Sequence, residues 1–308
     1  MKRQSSRNLS SGAGATLENP NLMAEKGQNV APGLYVIATP IGNARDISLR
    51  ALDVLRCCDL IAAEDTRVTA KLLAIYGIAR PLSAYNDHTA ARERPRLLAK
   101  LRDGARIALV SDAGTPLISD PGYKLVREAV ALGLAVHTVP GSSAVLAALT
   151  LAGLPTDRFF FAGFLPSKSG GRRQALADLK SIPATLVLFE SAQRLGESLS
   201  DMHSILGARP AAVARELTKL HEEVRRGTLA SLAADYAGET APRGEIVIVV
   251  GPPAEEEPDL ARADALLRRA LEFMPLRAAA DLVAEALEMP RGLTYDRGLA
   301  LKSANDGR

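Results

Sequence analysis

From Gly33 to about Ala152, short apolar runs rich in β-branched residues alternate with longer segments in which apolar residues recur at helical spacing. This alternation predicts βα units around a largely parallel sheet. Helices are expected between the strands, for example at Ser48–Arg56 and Tyr123–Ala131. The units fill a first α/β domain, residues 33–152. Its predicted strands are Leu34–Ala38, Leu60–Ala63, Leu82–Tyr85, Arg106–Val110 and Ala135–Val139.

The segment Gly153-Leu154-Pro155-Thr156 interrupts this pattern, because glycine and proline break regular structure. A second series of strands follows, and the shorter connections between them predict a mixed sheet. These elements form a second α/β domain, residues 153–252. Its predicted strands are Phe159–Ala162, Thr185–Phe189, Ala211–Arg215, Glu223–Arg226 and Glu245–Val250.

Both ends of the chain are expected to lie outside these domains. Residues 1–32 are mostly polar and cannot bury enough surface to order themselves, so we predict a disordered tail, either idle or in loose contact with RNA. Prolines at 252 and 253 and the glutamates 255–257 predict a linker. A small helical domain, residues 260–308, follows. Its predicted helices are Ala261–Phe273, Leu276–Glu288 and Leu299–Ser303.

Composition narrows the class of protein. With 308 residues, 47% hydrophobic content and a net charge of +3, the chain is globular and can bind polyanions only through local patches. The only cysteines, Cys57 and Cys58, are adjacent, which opposes a structural disulfide and favours a reduced, cytoplasmic protein. No zinc-ligand spacing and no membrane-spanning apolar run occurs, so neither a metal nor a membrane partner is expected.

Three loops after predicted strands combine glycine and proline with small hydroxyl residues: Thr39–Asn43, Ser111–Gly122 and Pro140–Ala144. In an open α/β sheet, ligands bind beyond the carboxyl ends of the strands. Small residues let the backbone approach a ligand, so together the loops predict a cradle for a polar small molecule, although each alone could be a tight turn. Neither a dinucleotide fingerprint nor a P-loop occurs, which argues against NAD and ATP.

From Gly33 to Gly251 the chain resembles the ribosomal RNA small-subunit methyltransferase I family of the tetrapyrrole-methylase superfamily. Seven motifs in order carry the resemblance, and together they are far more specific than any one alone. They are Leu34–Asn43, Ala63–Arg67, Ser111–Gly122, Val139–Ala144, Gly163–Pro166, Arg215–Lys219 and Arg243–Glu245.

The resemblance implies two α/β domains with S-adenosylmethionine in the cleft between them, and a homodimer. It also implies 2′-O-methylation of the ribose of a cytidine in the decoding region of 16S rRNA. The 30S subunit is the expected context of this RNA, and the sequence leaves open whether free rRNA or the assembled subunit is the substrate. Carried over by position, the cofactor site would use residues of both domains. These are Pro40, Asp112, Ala113, Gly114, Thr115, Ile118, Ser142, Ser143, Ala144, Phe189, Leu217, Gly244 and Ile246.

The chain departs from the family pattern in two segments, each of which lacks a histidine that relatives usually carry. The first is Tyr85–Ala90, where His88 is the one histidine left, and the second is Glu190–Arg194. These departures argue against an indispensable role for either missing imidazole ring.

A ribose hydroxyl is a poor nucleophile, so methyl transfer to it should be helped by a group that removes its proton. Four residues follow strands or lie in connecting loops and could act as this base: Asp65, Glu64, His88 and Glu190. We favour Asp65, because its carboxylate can face the cleft from a strand end with Arg67 nearby. The alternative is that Asp65 caps the following helix and Arg67 pairs with it.

For RNA contact we favour Lys168, Arg172 and Arg173, which are predicted to form a mobile basic loop next to the cleft. The cluster Arg92–Arg96 is better interpreted as a solvated helix face. The helices after Ala261 carry several arginines and could contact RNA or pack on a dimer partner, and the sequence leaves both possibilities open.

Two alternative functions remain at this stage. One is methylation of a tetrapyrrole or of a modified protein side chain by an enzyme of the same superfamily; the Ala63–Arg67 and Gly163–Pro166 motifs and the basic loop favour RNA instead. The other is a non-catalytic RNA-binding or assembly factor that retains the fold. The intact set of small-residue loops argues against that factor, and failure to bind S-adenosylmethionine would revive it.

Overall fold

A computed structural model describes residues 30–119, 122–237, 242–254 and 259–306. The contacts between residues divide the chain into two compact units, one up to Pro253 and one from Ala254. The first unit contains two five-stranded sheets, and the second is helical. Nearly all of the tail predicted to be disordered lies outside the described residues.

The first sheet has the order β3-β2-β4-β1-β5, and all its strand pairs are parallel. Its strands are β1 (Gly33–Ile37), β2 (Leu60–Ala63), β3 (Leu82–Ala84), β4 (Arg106–Val110) and β5 (Val136–Val139). The connecting helices are α1 (Leu49–Cys57), α2 (Thr66–Ile75), α3 (Ala90–Arg102), α4 (Tyr123–Ala131) and α5 (Ala144–Ala152). The predicted parallel βα arrangement is confirmed.

Both faces of the first sheet are covered, as expected for a parallel sheet. Side chains alternate along β1, so that Leu34 joins one apolar cluster while Tyr35 and Ile37 join the other. In β4, Ile107 and Ala108 are likewise fully buried on opposite faces. Continuous burial explains why these strands read as unbroken apolar runs in the sequence.

The second sheet has the order β6-β7-β10-β8-β9. Its first pair is parallel and the other pairs are antiparallel, which confirms the predicted mixed sheet. The strands are β6 (Phe159–Phe164), β7 (Thr185–Ser191), β8 (Pro210–Arg215), β9 (Glu223–Thr228) and β10 (Glu245–Val250). The helices are α6 (Ser169–Leu179), α7 (Leu195–Leu206) and α8 (Leu229–Ala237).

Helix α5 joins the two sheets. It follows the last strand of the first sheet, yet its buried residues Val145, Ala148 and Leu149 pack with Val187 and Val247 of the second sheet. Their spacing puts them on one side of the helix. The cleft between the sheets is therefore bounded by an element that the sequence assigns to the first domain.

The second unit consists of α9 (Leu260–Leu271), α10 (Leu276–Ala286) and α11 (Arg291–Asp306) around Leu267 and Val283. The third helix contains the predicted Leu299–Ser303 but is longer, because it begins at Arg291. Proline at 290 directly precedes the helix, where the missing N–H costs nothing, and Gly292 is tolerated in the first turn. Neither residue therefore ends a helix.

Candidate active site

Three loops at the carboxyl end of the first sheet are tied together by hydrogen bonds. The backbone N–H of Thr39 donates to the carbonyl of Gly114 at 2.8 Å, and the N–H of Gly114 donates back at 3.0 Å. The Thr115 hydroxyl donates to the carbonyl of Ser142 at 3.1 Å. Gly114 has a φ of +79°, a conformation that glycine adopts at little cost. The loops therefore form one fixed surface.

A cavity of about 610 Å³ lies against this surface, between the two sheets. Its size is in the range of pockets that hold small molecules. Most of the predicted cofactor residues line it. They are Ala113, Gly114, Thr115, Ile118, Ser143, Ala144, Phe189, Leu217, Gly244 and Ile246.

The other three predicted cofactor residues, Pro40, Asp112 and Ser142, are not among the residues that line this cavity. Pro40 is buried within the first of these loops, and Ser142 holds Thr115 through its carbonyl. Asp112 lines a neighbouring cavity instead. Pro40 and Ser142 thus contribute to the shape of the loops.

The second sheet closes the cavity with a turn in an unusual conformation. Glu216 and Thr218 have φ values of +51° and +65°, on either side of Leu217, whose side chain lines the cavity. The Glu216 carboxylate accepts from the backbone N–H of Glu245 and from the ammonium of Lys219. The Thr218 hydroxyl accepts from the N–H of Asn43 in the first sheet's loop at 3.0 Å. Such strained residues persist where surrounding contacts fix them, often at functional sites.

Phe164 also lines the cavity and was not predicted as a site residue. Its ring contacts that of Phe189 edge to face, with centroids 5.4 Å apart. It is 58% exposed, which is high for an aromatic residue, because it faces the cleft. Its place in the Gly163–Pro166 motif was the sequence signal that could have identified it.

A second cavity of about 430 Å³ brings together the three predicted catalytic residues, Glu64, Asp65 and His88. Asp112 lines it as well, and the next residue, Ala113, lines the larger cavity, so one loop borders both. The N–H of Asp112 donates to Glu64 Oε2 at 3.3 Å, while Asp112 Oδ1 accepts from the N–H of Asp65 at 2.9 Å. These reciprocal bonds join the ends of β2 and β4.

The two neighbouring carboxylates differ in basicity. Asp65 caps α2, accepting from the N–H of Arg67 at 2.8 Å, and pairs with the Arg67 guanidinium at 2.5 Å. These bonds lower the pKa of Asp65 to about 2, which makes it a very weak base. Burial, and secondarily the charges of Asp112, Asp87 and Asp65, raise the pKa of Glu64. The contacts of Asp65 match the capping alternative, and Glu64 is the more basic of the two carboxylates.

Glu190 and His88 have different environments. Glu190 lines the larger cavity but is buried, and its carboxylate accepts from the Ser198 hydroxyl at 2.5 Å and pairs with Arg194 at 2.6 Å. Both carboxylate oxygens of Glu190 are therefore engaged by neighbouring side chains. His88 is exposed at the second cavity.

The predicted mobile basic loop was wrong. Ser169–Leu179 is the helix α6, and Arg172 is 1% exposed, with its guanidinium bonded to Asp201 at 2.7 Å. Arg173 also pairs with Asp201, at 3.3 Å. Arg172 is buried and paired, so it cannot bind an RNA phosphate without leaving Asp201. Its departure would leave a buried carboxylate without its positive partner. Lys168 and Arg173 are exposed, and their roles in RNA contact stay predictions.

Comparison with known proteins identifies the family. The model for tetrapyrrole (corrin/porphyrin) methylases matches residues 33–233, and the model for the RsmI C-terminal HTH domain matches residues 257–302. Ribosomal RNA small subunit methyltransferase I of Mesorhizobium japonicum is 50% identical over 275 residues, 89% of this chain and 94% of the relative. The protein of the same name from Pseudomonas aeruginosa is 48% identical over 271 residues, which are 86% of this chain and 96% of the relative.

The chain belongs to the ribosomal RNA small subunit methyltransferase I family of tetrapyrrole methylases. Membership of this family makes it a methyltransferase, and S-adenosylmethionine is the methyl donor that this membership indicates. The larger cavity is thus a candidate site for that donor.

Solved structures agree on the fold. Uroporphyrin-III-C-methyltransferase from Thermus thermophilus is 23% identical with a TM-score of 0.52, over 71% of this chain and 94% of that one. A diphthine synthase is 16% identical with a TM-score of 0.54, over 71% and 89%. The predicted class of two α/β domains with a C-terminal helical part is confirmed.

Two further features are absent from the described residues. These residues contain no group of three or more His, Cys, Asp or Glu side chains arranged to hold a metal ion. In the same part of the chain, no helix is long and apolar enough to cross a membrane.

Proposed function

We propose that the protein transfers a methyl group from S-adenosylmethionine to the ribose 2′-hydroxyl of a cytidine in the decoding region of 16S rRNA. Methylation of ribosomal RNA is supported by the relatives named above. The observation that carries the proposal is the adjacency of two cavities along one loop, where Asp112 borders one and Ala113 the other. A donor site and a proton acceptor must be neighbours for this reaction.

The larger cavity fits the donor in size and in lining. Gly114 and Gly244 let the backbone border the cavity directly, since they have no side chains. Phe164 and Phe189 offer apolar ring surface suited to a purine, and Thr115 and Ser143 are small polar residues beside it. When bound, the donor supplies a methyl group already activated by its sulfonium charge.

The protein's own residues would orient the hydroxyl and remove its proton. Glu64 is our candidate for the base, because it is partly buried, borders the second cavity and has a raised pKa. A base with a pKa closer to the working pH accepts a proton more effectively. The N–H of Asp112 holds the Glu64 carboxylate, and Asn86 donates to the Glu64 carbonyl at 3.2 Å. These bonds fix the backbone and the carboxylate.

The experiment is methylation of unmethylated 30S subunits with isotope-labelled S-adenosylmethionine, followed by nuclease digestion and mass spectrometry. We expect label on the ribose of one decoding-region cytidine. Free 16S rRNA in a parallel reaction tests the prediction that the assembled subunit is the substrate. Label on a base, or none on ribosomal RNA, would contradict the proposal.

The resemblance also predicts a homodimer. Sedimentation of the purified protein at several concentrations tests that prediction separately from the reaction.

A further inference from the structure

Helix α9 opens the C-terminal helical unit and has one clearly buried side. Ala263, Leu267 and Ala270 are buried and face the other two helices of the unit. Asp259 caps the helix by accepting from the N–H of Arg262 at 2.9 Å. The helix is therefore anchored along one side and at its start, which leaves its outer side available for another role.

The outer side carries a regular stripe, which we name the α9 stripe: Arg262, Leu266, Arg269 and Phe273. These residues occupy positions i, i+4, i+7 and i+11, so they lie above one another along a helix. Phe273 follows the helix in a turn whose N–H donates to the carbonyl of Ala270, which continues the helical path. Phe273 is 75% exposed and Leu266 38%, and both arginines are exposed.

The charge of the α9 stripe is not neutralised within the described residues. Asp264, the one acidic residue inside α9, pairs with Arg297 of α11 at 2.5 Å. Among the residues that the structure describes, neither Arg262 nor Arg269 forms an ion pair or a side-chain hydrogen bond. Two arginines and an exposed aromatic ring thus share one side of the helix.

Helix α11 provides a contrast within the same unit. In a helix-turn-helix the second helix of the motif is the usual contact element, and here that helix would be α11. Its exposed residues include Lys302, and also Arg291, which lies 3.7 Å from Asp281, and Asp296, which is acidic. Tyr295 is 41% exposed between them. The net positive charge is therefore greater on the α9 stripe than on α11.

We infer that the α9 stripe contacts the RNA substrate, with Arg262 and Arg269 on phosphates and Phe273 stacked on an unpaired base. This inference rests on the proposed function for its substrate. Arginine side chains supply salt-dependent affinity for phosphates. Exposed aromatic rings stack on bases of single-stranded or loop regions, where RNA is most often recognised. The mild overall charge of +3 makes such a local patch necessary for RNA binding.

The test uses the full chain and fluorescently labelled, unmethylated 30S subunits. The double variant R262Q/R269Q should bind the subunits more weakly and should reduce the slope of log affinity against log salt by about 2, about 1 for each phosphate contact. F273A should weaken binding about tenfold with little change in that slope. Neither change should alter S-adenosylmethionine affinity, because none of these residues lines either cavity.

The matched control is R291Q on α11, which removes the same charge from the other exposed helix. Circular dichroism and thermal unfolding check that each variant folds. Unchanged affinity and salt slope in R262Q/R269Q would overturn the inference, as would a larger effect of R291Q. Variants that lose dimerisation while keeping RNA affinity would also overturn it, since the stripe would then be a protein interface.

The proposed function and this inference fail in distinguishable ways. If the wild-type protein methylates no ribosomal RNA but R262Q/R269Q still lowers its salt-dependent RNA affinity, the function fails and the inference stands. If methylation is normal and its KM for RNA is unchanged in the variant, the inference fails alone.

Discussion

The two cavities share a loop but are lined by different kinds of residue. The larger is bordered mainly by glycines, small residues and apolar side chains such as Leu217 and Ile246, and its charged lining residues are Glu190, Arg243 and Glu245. The smaller is bordered by the carboxylates of Glu64, Asp65, Asp87 and Asp112. The first is therefore defined by the shape of the backbone, and the second by charge and protonation.

Changes in the two cavities should therefore affect different measurements. A change in shape alters how tightly a small molecule fits, so it should appear in cofactor affinity. A change in protonation alters how readily a proton is removed, so it should appear in turnover and its dependence on pH. If changes in both cavities affected one parameter alike, the distinction would not hold.

The largest expected effect is that of E64Q. Glutamine keeps the size of the side chain but cannot take a proton, so we expect kcat to fall about 10²- to 10⁴-fold, the usual contribution of a general base. S-adenosylmethionine affinity, measured by isothermal titration, should stay near wild type because Glu64 does not line the larger cavity.

The control for E64Q is D65N, the neighbouring carboxylate. Asparagine can still cap α2, and the Asp65 carboxylate is already paired with Arg67. We therefore expect D65N to reduce kcat much less than E64Q does. Single-turnover rates separate chemistry from product release. A D65N enzyme slower than E64Q would reverse the assignment and restore Asp65 as the base.

The second prediction concerns G244A in the larger cavity. Gly244 has a φ of +105°, and an added Cβ would lie 2.3 Å from a Glu216 carboxylate oxygen. The turn must shift, and strain of this kind costs about 1 to 3 kcal/mol. We expect cofactor affinity to fall about tenfold or more while kcat at saturating cofactor changes little.

The matched control is G207A. Gly207 also has a positive φ, +80°, but an added Cβ would meet nothing within 4 Å, and the residue lines neither cavity. The G207A variant therefore measures the effect of backbone strain alone. Equal losses of cofactor affinity in the two variants would show that general destabilisation, and not the shape of the cavity, is responsible.

The two cavities also differ in how well their residues could be predicted from the sequence. The loops of the larger cavity were predictable because glycine, proline and small residues after buried strands have a direct backbone meaning, as at Gly114. The roles of charged residues depend on partners that are distant in sequence. Arg172 looked like a mobile RNA ligand, yet Asp201, which pairs with it, comes 29 residues later.

Asp65 illustrates the same limit over a shorter distance. Both of its possible roles were evident from Asp65-Thr66-Arg67, but only the bonds to Arg67 separated them. The fold was more predictable than the site, because periodicity averages over many residues whereas a pKa depends on a few contacts. α5 is the exception in the fold, since its pattern gave no indication that it covers the second sheet.

The smallest expected effect is a shift in the pH profile of D87N. Glu64 must be ionised to accept a proton, so kcat should rise with pH through the pKa of Glu64. Asp87, Asp65 and Asp112 face this carboxylate with negative charge and raise that pKa, after burial, which is the largest cause. Arg67 is paired with Asp65, and His88 lies at the same cavity.

Removing the charge of exposed Asp87 should therefore lower the pKa of Glu64 and move the acidic limb of the kcat profile to lower pH, leaving the plateau and the cofactor affinity unchanged. The measurement is kcat against pH at saturating cofactor and 30S subunits, at low ionic strength, where exposed charges are least screened. Addition of salt should shrink the difference between D87N and wild type. A limb that moves to higher pH would have the wrong sign for a carboxylate base, and would indicate that the group that titrates is not Glu64.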